Sequence, residues 1–171
     1  VWATALDSAN SEIGSNKEWT NYPNVYDSAS GPNGTFATAP YANAGEKVAV
    51  TNFSLGETID GTITQVEALV YLQKNGVLAG GFDVNVIDAV DTYAHAFADV
   101  TAIPDGYFAV DVTEDRTWAS SDFTGAATTT SIQLIGQKSG NPPGTLDADA
   151  AGYRITTDAT CGEPGNTIDP L

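Results

Sequence analysis

The chain has 171 residues, of which 42% are hydrophobic, so it is long enough to bury a core as one domain without cross-links. Its formal charge is −16, from 22 acidic against 6 basic residues, and such a surface repels phosphate backbones. We therefore expect no nucleic-acid partner. The sequence shows neither a run of about 20 apolar residues nor a signal-peptide pattern, so it predicts neither a membrane protein nor an unprocessed secretory precursor.

The first 45 residues are rich in turn formers and have little periodicity. The segments "NYPN", "SGPNG" and "NAG" punctuate them. They predict a loop-rich entry segment wrapped on the body of the domain, with one short strand near Thr35 to Thr38. Within this segment, Trp19 and Phe36 are the expected anchors to the core.

From Lys47 onward, apolar and polar side chains alternate with period two, the pattern of half-buried strands. The run from Ile63 to Leu72 is the clearest example, and the Asn75-Gly76 pair after it predicts a tight hairpin. The predicted inward-facing residues of this and the later strands are Val66, Ala68, Val70, Leu72, Phe82, Val84, Val86, Phe108, Val110, Val112, Ile132, Leu134, Tyr153 and Ile155.

The segment Asp91 to Val100 is the best helical candidate, but its large side chains alternate as in a strand. Strands without crossover helices predict an all-β fold, an antiparallel β-sandwich of the jelly-roll type, with an immunoglobulin-type sandwich as the alternative. We expect one domain over residues 1–160, whose residues 1–45 form the entry segment. Residues 161–171 carry two prolines and little apolar content, which predicts a tail.

Catalytic motifs are missing from the sequence. It has no phosphate-binding loop and no Gly-x-Ser-x-Gly, and His95, the one histidine, has no partners in sequence for a metal cluster. Cys161 is the one cysteine, so an internal disulfide is excluded and a free thiol is expected. Carboxylates are abundant, but abundance alone does not indicate a glycosidase pair. We therefore expect no enzymatic activity and no cofactor, with calcium held by loop carboxylates as an alternative.

The aromatic residues fit two interpretations. Trp2, Trp19 and Trp118, with Tyr22, Tyr26 and Tyr41, suit either stacking on sugar rings or packing against the sandwich and a neighbouring copy. Some strands are also apolar on the face expected to point outward, which indicates a cover on both sides. The residues predicted to form a subunit interface are Leu69, Tyr71, Ile87, Ile135, Tyr22, Tyr26 and Tyr41.

Several segments together resemble a β-sandwich domain that recurs in virion proteins of tailed viruses of bacteria and haloarchaea. The first part of the pattern is Trp19, "NYPN", "PNG" and "TFATA". It continues with Asn52 and Phe53, with Ile-x-Gly-x-Ile-x-x-Val-Glu in "TIDGTITQVEALVYL", and with Trp118 in "RTWASSDF". The resemblance covers about Trp19 to Asp158.

The resemblance implies a non-enzymatic virion structural protein, such as a capsid decoration, a turret or a tail or fibre module. Its partners would be other copies of itself and a major capsid protein, and its location the surface of the capsid or tail. An extracellular carbohydrate-binding module, or a receptor-binding domain that recognises host glycans, is the alternative function. The acidic surface would suit a saline setting.

Overall fold

The part of the chain that the structure describes folds into nine antiparallel strands. The computed structural model describes residues 1–15, 17–39, 44–56, 58–124, 130–140 and 143–159. The strands are β1 (Ala5–Leu6), β2 (Ala37–Ala39), β3 (Glu46–Thr51), β4 (Ile63–Asn75), β5 (Gly80–Ile87), β6 (Thr92–Phe97), β7 (Gly106–Asp111), β8 (Ser131–Lys138) and β9 (Thr145–Thr157). Two 3-10 turns (Tyr22–Val25 and Val100–Ala102) and one helical turn, α1 (Ser121–Thr124), complete the described elements. The all-β prediction is confirmed.

The strands form two sheets with jelly-roll order. The five-stranded sheet runs β1-β3-β8-β5-β6, and the four-stranded sheet runs β2-β9-β4-β7. From β2 onward, the first strand pairs with the last, the second with the seventh, the third with the sixth and the fourth with the fifth. This nesting is that of a long hairpin folded over on itself, which confirms the jelly roll and not the immunoglobulin order.

The core lies between the two sheets, and the predicted alternation describes it well. The inward-facing residues that are fully buried include Val66, Ala68, Val70, Leu72, Phe82, Val84, Val86, Ile132, Leu134 and Tyr153. The predicted anchor Trp19 is also fully buried, and its indole Nε1 donates to the Glu46 carbonyl oxygen at 3.0 Å. That bond satisfies the one polar atom of a side chain that otherwise supplies only apolar surface.

Two local predictions need correction or adjustment. Asn75-Gly76 does not close a hairpin, because β4 and β5 belong to different sheets and the pair turns the chain from one to the other. The short strand expected near Thr35 to Thr38 is β2, which begins two residues later. The segment from Asp91 contains the strand β6, as its alternation indicated.

The predicted tail, with Cys161, lies outside the described residues. Among the residues that the structure describes, no helix is long and apolar enough to cross a membrane.

Candidate binding face

Three aromatic rings and one leucine lie together on the outward side of the four-stranded sheet. The register of β4 and β7 places Tyr71 opposite Tyr107, and their rings meet edge to face with centroids 5.1 Å apart. The indole of Trp2 stacks on Tyr107 at 6.1 Å with an interplanar angle of 29°. Leu69 follows on the same side of β4 as Tyr71, since residues two apart share a face. We call Trp2, Leu69, Tyr71 and Tyr107 the aromatic face.

Two glycines make room for Trp2 on this sheet. Trp2 forms an isolated antiparallel bridge with Gly152 of β9. A Cβ at Gly152 would lie 2.2 Å from the Val1 carbonyl oxygen and 2.8 Å from the indole, and a Cβ at Gly31 would lie 2.6 Å from the indole Nε1. Since carbon atoms normally approach to about 3.5 Å, the ring fits only because both positions lack a side chain.

A buried carboxylate holds the loop that carries Gly31. Asp149 is 2% exposed, and its oxygens accept the backbone N–H groups of Asn33 at 3.0 Å and Gly34 at 2.7 Å. Hydrogen bonds to a charged acceptor are stronger than neutral ones. The loop therefore has a fixed position over β9, and Trp2 is held between the loop and the sheet.

Polar groups continue the face beyond Leu69. Arg154 of β9 bonds Glu67 of β4 with two parallel N–H donors, Nε to Oε2 at 2.5 Å and Nη2 to Oε1 at 2.7 Å. These bonds and the charge of Glu67 raise the pKa of Arg154. Further along, Gln65 Nε2 donates to Asp111 Oδ2 at 3.3 Å. The outward side of this sheet thus changes from aromatic to planar, hydrogen-bonding side chains.

An open groove adjoins the aromatic face. It has a volume of about 700 Å³ and lies between the sheet and the loop that precedes β4. Its lining includes Trp2, Leu69 and Arg154 on one wall and Leu55, Ile59 and Asp60 on the other. Because Trp2 and Leu69 belong to both features, the groove and the aromatic face form one continuous surface. It combines apolar walls with a few polar groups, the usual character of a ligand site.

The predicted interface residues fall in three places, so the structure does not bring them together. Leu69 and Tyr71 lie on the aromatic face, and Ile87 and Ile135 lie half-buried on the outward side of the opposite sheet. Tyr22 and Tyr26 lie in and directly after the first 3-10 turn, half-buried against the core. Tyr41 is outside the described residues.

Trp2 is among the aromatic residues for which the sequence leaves both sugar stacking and packing open, whereas Tyr107 is not among them. Tyr107 is 59% exposed and is the most open ring of the face. The sequence pattern that could have identified Tyr107 is the alternation of β7, because Tyr107 lies on the side of the strand opposite to the inward-facing Phe108 and Val110. The other two tryptophans are not available to a ligand in the same way, since Trp19 is fully buried and Trp118 packs against the core.

Some charged groups away from this face form pairs within the chain. His95 Nε2 lies 2.8 Å from Asp115 Oδ2, which fits the expected structural role of a strand histidine. Arg116 lies 3.2 Å from Asp122 and 3.5 Å from Asp88, with its guanidinium 5.1 Å from the centre of the Trp118 ring. Within the described ranges, no three His, Cys, Asp or Glu side chains come together as a metal site requires.

Comparison with known proteins adds little to this picture. The sequence matches no protein-family model and no curated protein. Among solved structures, it is similar to the X-ray crystal structure of a non-crystalline cellulose specific carbohydrate-binding module, CBM28, with 13% identity and a TM-score of 0.37. That alignment covers 80% of this chain and 86% of the other. A likeness this distant carries no argument about what this chain binds, so its function has to be argued from its own surface.

Proposed function

We propose that this chain is a non-catalytic binding module that holds a glycan on the aromatic face and in the adjoining groove. The observation that carries the proposal is the contact of Trp2, Tyr71 and Tyr107 on one sheet, next to the planar Arg154–Glu67 pair. Exposed aromatic clusters of this kind on an otherwise polar surface mark interaction sites.

The chemistry of a sugar fits both halves of this surface. A pyranose has C–H faces that pack on aromatic rings and hydroxyl groups around its edge that need hydrogen-bond partners. Tyr71, Tyr107 and Trp2 supply the apolar area, while Arg154, Glu67 and Asp111 supply donors and acceptors in fixed planes. Because the whole chain carries a charge of −16, a neutral glycan is favoured over an acidic one.

The carboxylates beside the face favour binding over hydrolysis. A glycosidase needs one carboxyl group whose pKa is raised so that it can donate a proton. Glu67 is held in a two-fold hydrogen bond by Arg154. Hydrogen bonds from the side chain and backbone N–H of Thr113 lower the pKa of Asp111, so that carboxylate is ionised at neutral pH. Asp111 is therefore not prepared to act as the acid, and both oxygens of Glu67 are occupied by Arg154.

A glycan array of neutral and acidic oligosaccharides, followed by calorimetry, tests the proposal. We expect binding to neutral glycans, and Tyr107→Ala should weaken it about tenfold, which corresponds to about 1.4 kcal/mol of lost contact. Val90→Ala is the matched control, because Val90 is 84% exposed and lies in the β5–β6 turn of the other sheet. Silence of the whole array, or equal affinity for the Tyr107→Ala protein, would contradict glycan binding.

A second proposal is that the chain is an assembly subunit on the surface of a tailed-virus particle, as the sequence resemblance implies. The observation that favours it is apolar surface on the outward sides of both sheets, at Leu69 and Tyr71 on one and at Ile87 and Ile135 on the other. Contact with other copies or with a major capsid protein would cover both. A dilution series in multi-angle light scattering, with added capsids, measures this. A monomer at every concentration that does not bind capsids would rule the assembly role out.

A further inference from the structure

The two sides of the sandwich are closed differently. On one side, the first residues of the chain join the two sheets. Ala3 N donates to the Ala151 carbonyl of β9, in the four-stranded sheet, at 2.9 Å, and Ala5–Leu6 then pairs with β3, in the five-stranded sheet. On the other side, β6 ends the five-stranded sheet and β7 ends the four-stranded one. There the sheets meet through an edge-to-face contact of Phe97 and Phe108, with centroids 4.9 Å apart.

The backbone of β7 has one set of groups that faces away from its sheet. Val112 N donates to the Val66 carbonyl at 2.9 Å, which identifies these two residues as a hydrogen-bonded pair of the β4–β7 ladder. Such pairs alternate along an antiparallel ladder, so Val110 and Phe108 also bond β4. The N–H and C=O groups of Tyr107, Ala109 and Asp111 therefore point to the open edge.

Within β7, this edge lacks three features that often protect a terminal strand, namely lysine, proline and a bulge. Natural edge strands carry lysine, proline or a bulge that prevents another strand from pairing with them. The sequence of β7, "GYFAVD", has no lysine, arginine or proline, and its pairing with β4 is regular from Glu67 to Leu72. Beside the edge lies an apolar groove of about 320 Å³, lined by Phe97, Ile103 and Phe108 among others.

We propose that the open edge of β7 binds an extended segment of a partner protein by strand addition. Every second side chain of that segment is apolar and lies in the groove, and its ends carry lysine or arginine. Backbone pairing of this kind supplies affinity, and pockets for alternate side chains supply specificity. This site shares Asp111 with the proposed glycan surface, but its backbone groups and its groove lie at the edge and on the inward side of β7.

Charge complementarity selects the partner. Asp105 directly precedes β7, Asp111 is its last residue, and Asp99 lines the groove. Lys74, from the neighbouring strand, is already engaged, with its Nζ 3.9 Å from Asp105 and bonded to the carbonyls of Thr101 and Ile103. A second copy of this acidic chain would bring more carboxylates to the same edge, and like charges opposite each other destabilise a strand pair. A basic segment would neutralise them.

A titration of the isotope-labelled protein with a synthetic peptide, Lys-Lys-Val-Thr-Val-Thr-Val-Lys-Lys, tests the site by NMR. We expect the amide signals of Tyr107, Ala109 and Asp111 to shift and the affinity to fall with added salt. Ala109→Pro removes an outward N–H without breaking a β4 bond and should weaken binding about fivefold or more. Ala109→Val, which adds bulk but keeps the N–H, should bind like the unaltered protein.

A charge-reversed protein keeps the test decisive even where Ala109→Pro folds poorly. In Asp105→Lys with Asp111→Lys, the preference should invert, so that a peptide with glutamate at its ends binds better than the lysine peptide. The proposal is overturned by equal binding of both peptides to the unaltered protein, by shifts that map elsewhere, or by no shifts at millimolar peptide. A concentration-dependent dimer that Ala109→Pro abolishes would assign the edge to a second copy instead.

Discussion

Gly31 and Gly34 lie in one loop and differ in what a methyl group would meet there. Both have positive φ, +96° and +87°, so alanine imposes similar backbone strain at each, about 1–2 kcal/mol. A Cβ at Gly34 meets nothing within 4 Å, whereas one at Gly31 would lie 2.6 Å and 2.7 Å from indole atoms of Trp2. Gly34→Ala is therefore a matched control for Gly31→Ala.

The difference between the two variants measures how firmly Trp2 is held. The indole cannot move aside freely, because Gly152 lies beneath it and Tyr107 is stacked on it. Overpacking of this kind costs about 1–3 kcal/mol, and 1 kcal/mol shifts Tm by about 2–4 °C in a chain of this size, so Gly31→Ala should lower Tm by about 2–12 °C more than Gly34→Ala. Since Trp2 leaves its position, glycan affinity should also fall in Gly31→Ala and not in Gly34→Ala.

Thermal unfolding followed by tryptophan fluorescence, with calorimetry against the best glycan of the array, measures both effects. Equal Tm values for the two variants would refute the inference that Gly31 confines the ring. A lower Tm for Gly31→Ala with unchanged glycan affinity would keep the packing argument and remove Trp2 from the binding surface.

Three other perturbations have defined outcomes. Arg154→Met should change the free energy of unfolding in urea by less than about 1 kcal/mol, because Arg154 is largely exposed. The same variant should weaken glycan binding. Unchanged glycan affinity would contradict a role for the polar half of the face. Asp149→Ala leaves two backbone N–H groups without an acceptor and should cost about 2–4 kcal/mol of unfolding free energy; a loss under about 1 kcal/mol would contradict the anchoring role. Burial raises the pKa of Tyr153. The folded state therefore keeps a proton that the unfolded state loses above about pH 10, so the stability of the fold should fall as pH rises beyond that value. Tyr153→Phe should lessen that loss of stability. If the unaltered protein and Tyr153→Phe had the same dependence of stability on pH, the role of Tyr153 in that loss would be contradicted.

The strands themselves were predictable from the sequence because burial on one side of a sheet imposes period two. Val66, Ala68, Val70 and Leu72 are all buried, and the residues between them point outward, as the alternation of β4 indicated. The same holds for Phe82, which begins the inward row of β5. Such patterns are local, so they need no knowledge of the partner strand.

The pairing of strands was less predictable. Asn75-Gly76 has the composition of a hairpin turn, but the strands on either side of it pair with β9 and β8, which follow much later in the chain. Turn composition reports the local dihedral angles, and Gly76 indeed has a φ of +77°. It does not report which sheet the next strand will join, since that depends on how both sheets bury their apolar sides.

The sequence by itself determined the all-β class, the inward side of each long strand and the acidic surface, because these follow from composition and from spacing along one strand. Only the tertiary structure decided the candidate binding surface. Trp2 and Tyr107 are separated by more than a hundred positions, and they touch because Gly152 lets the first residues lie against β9 while the register of β4 and β7 places Tyr107 beside Tyr71. Contacts of that kind depend on sheet order and on space between side chains, which no single stretch of the chain specifies.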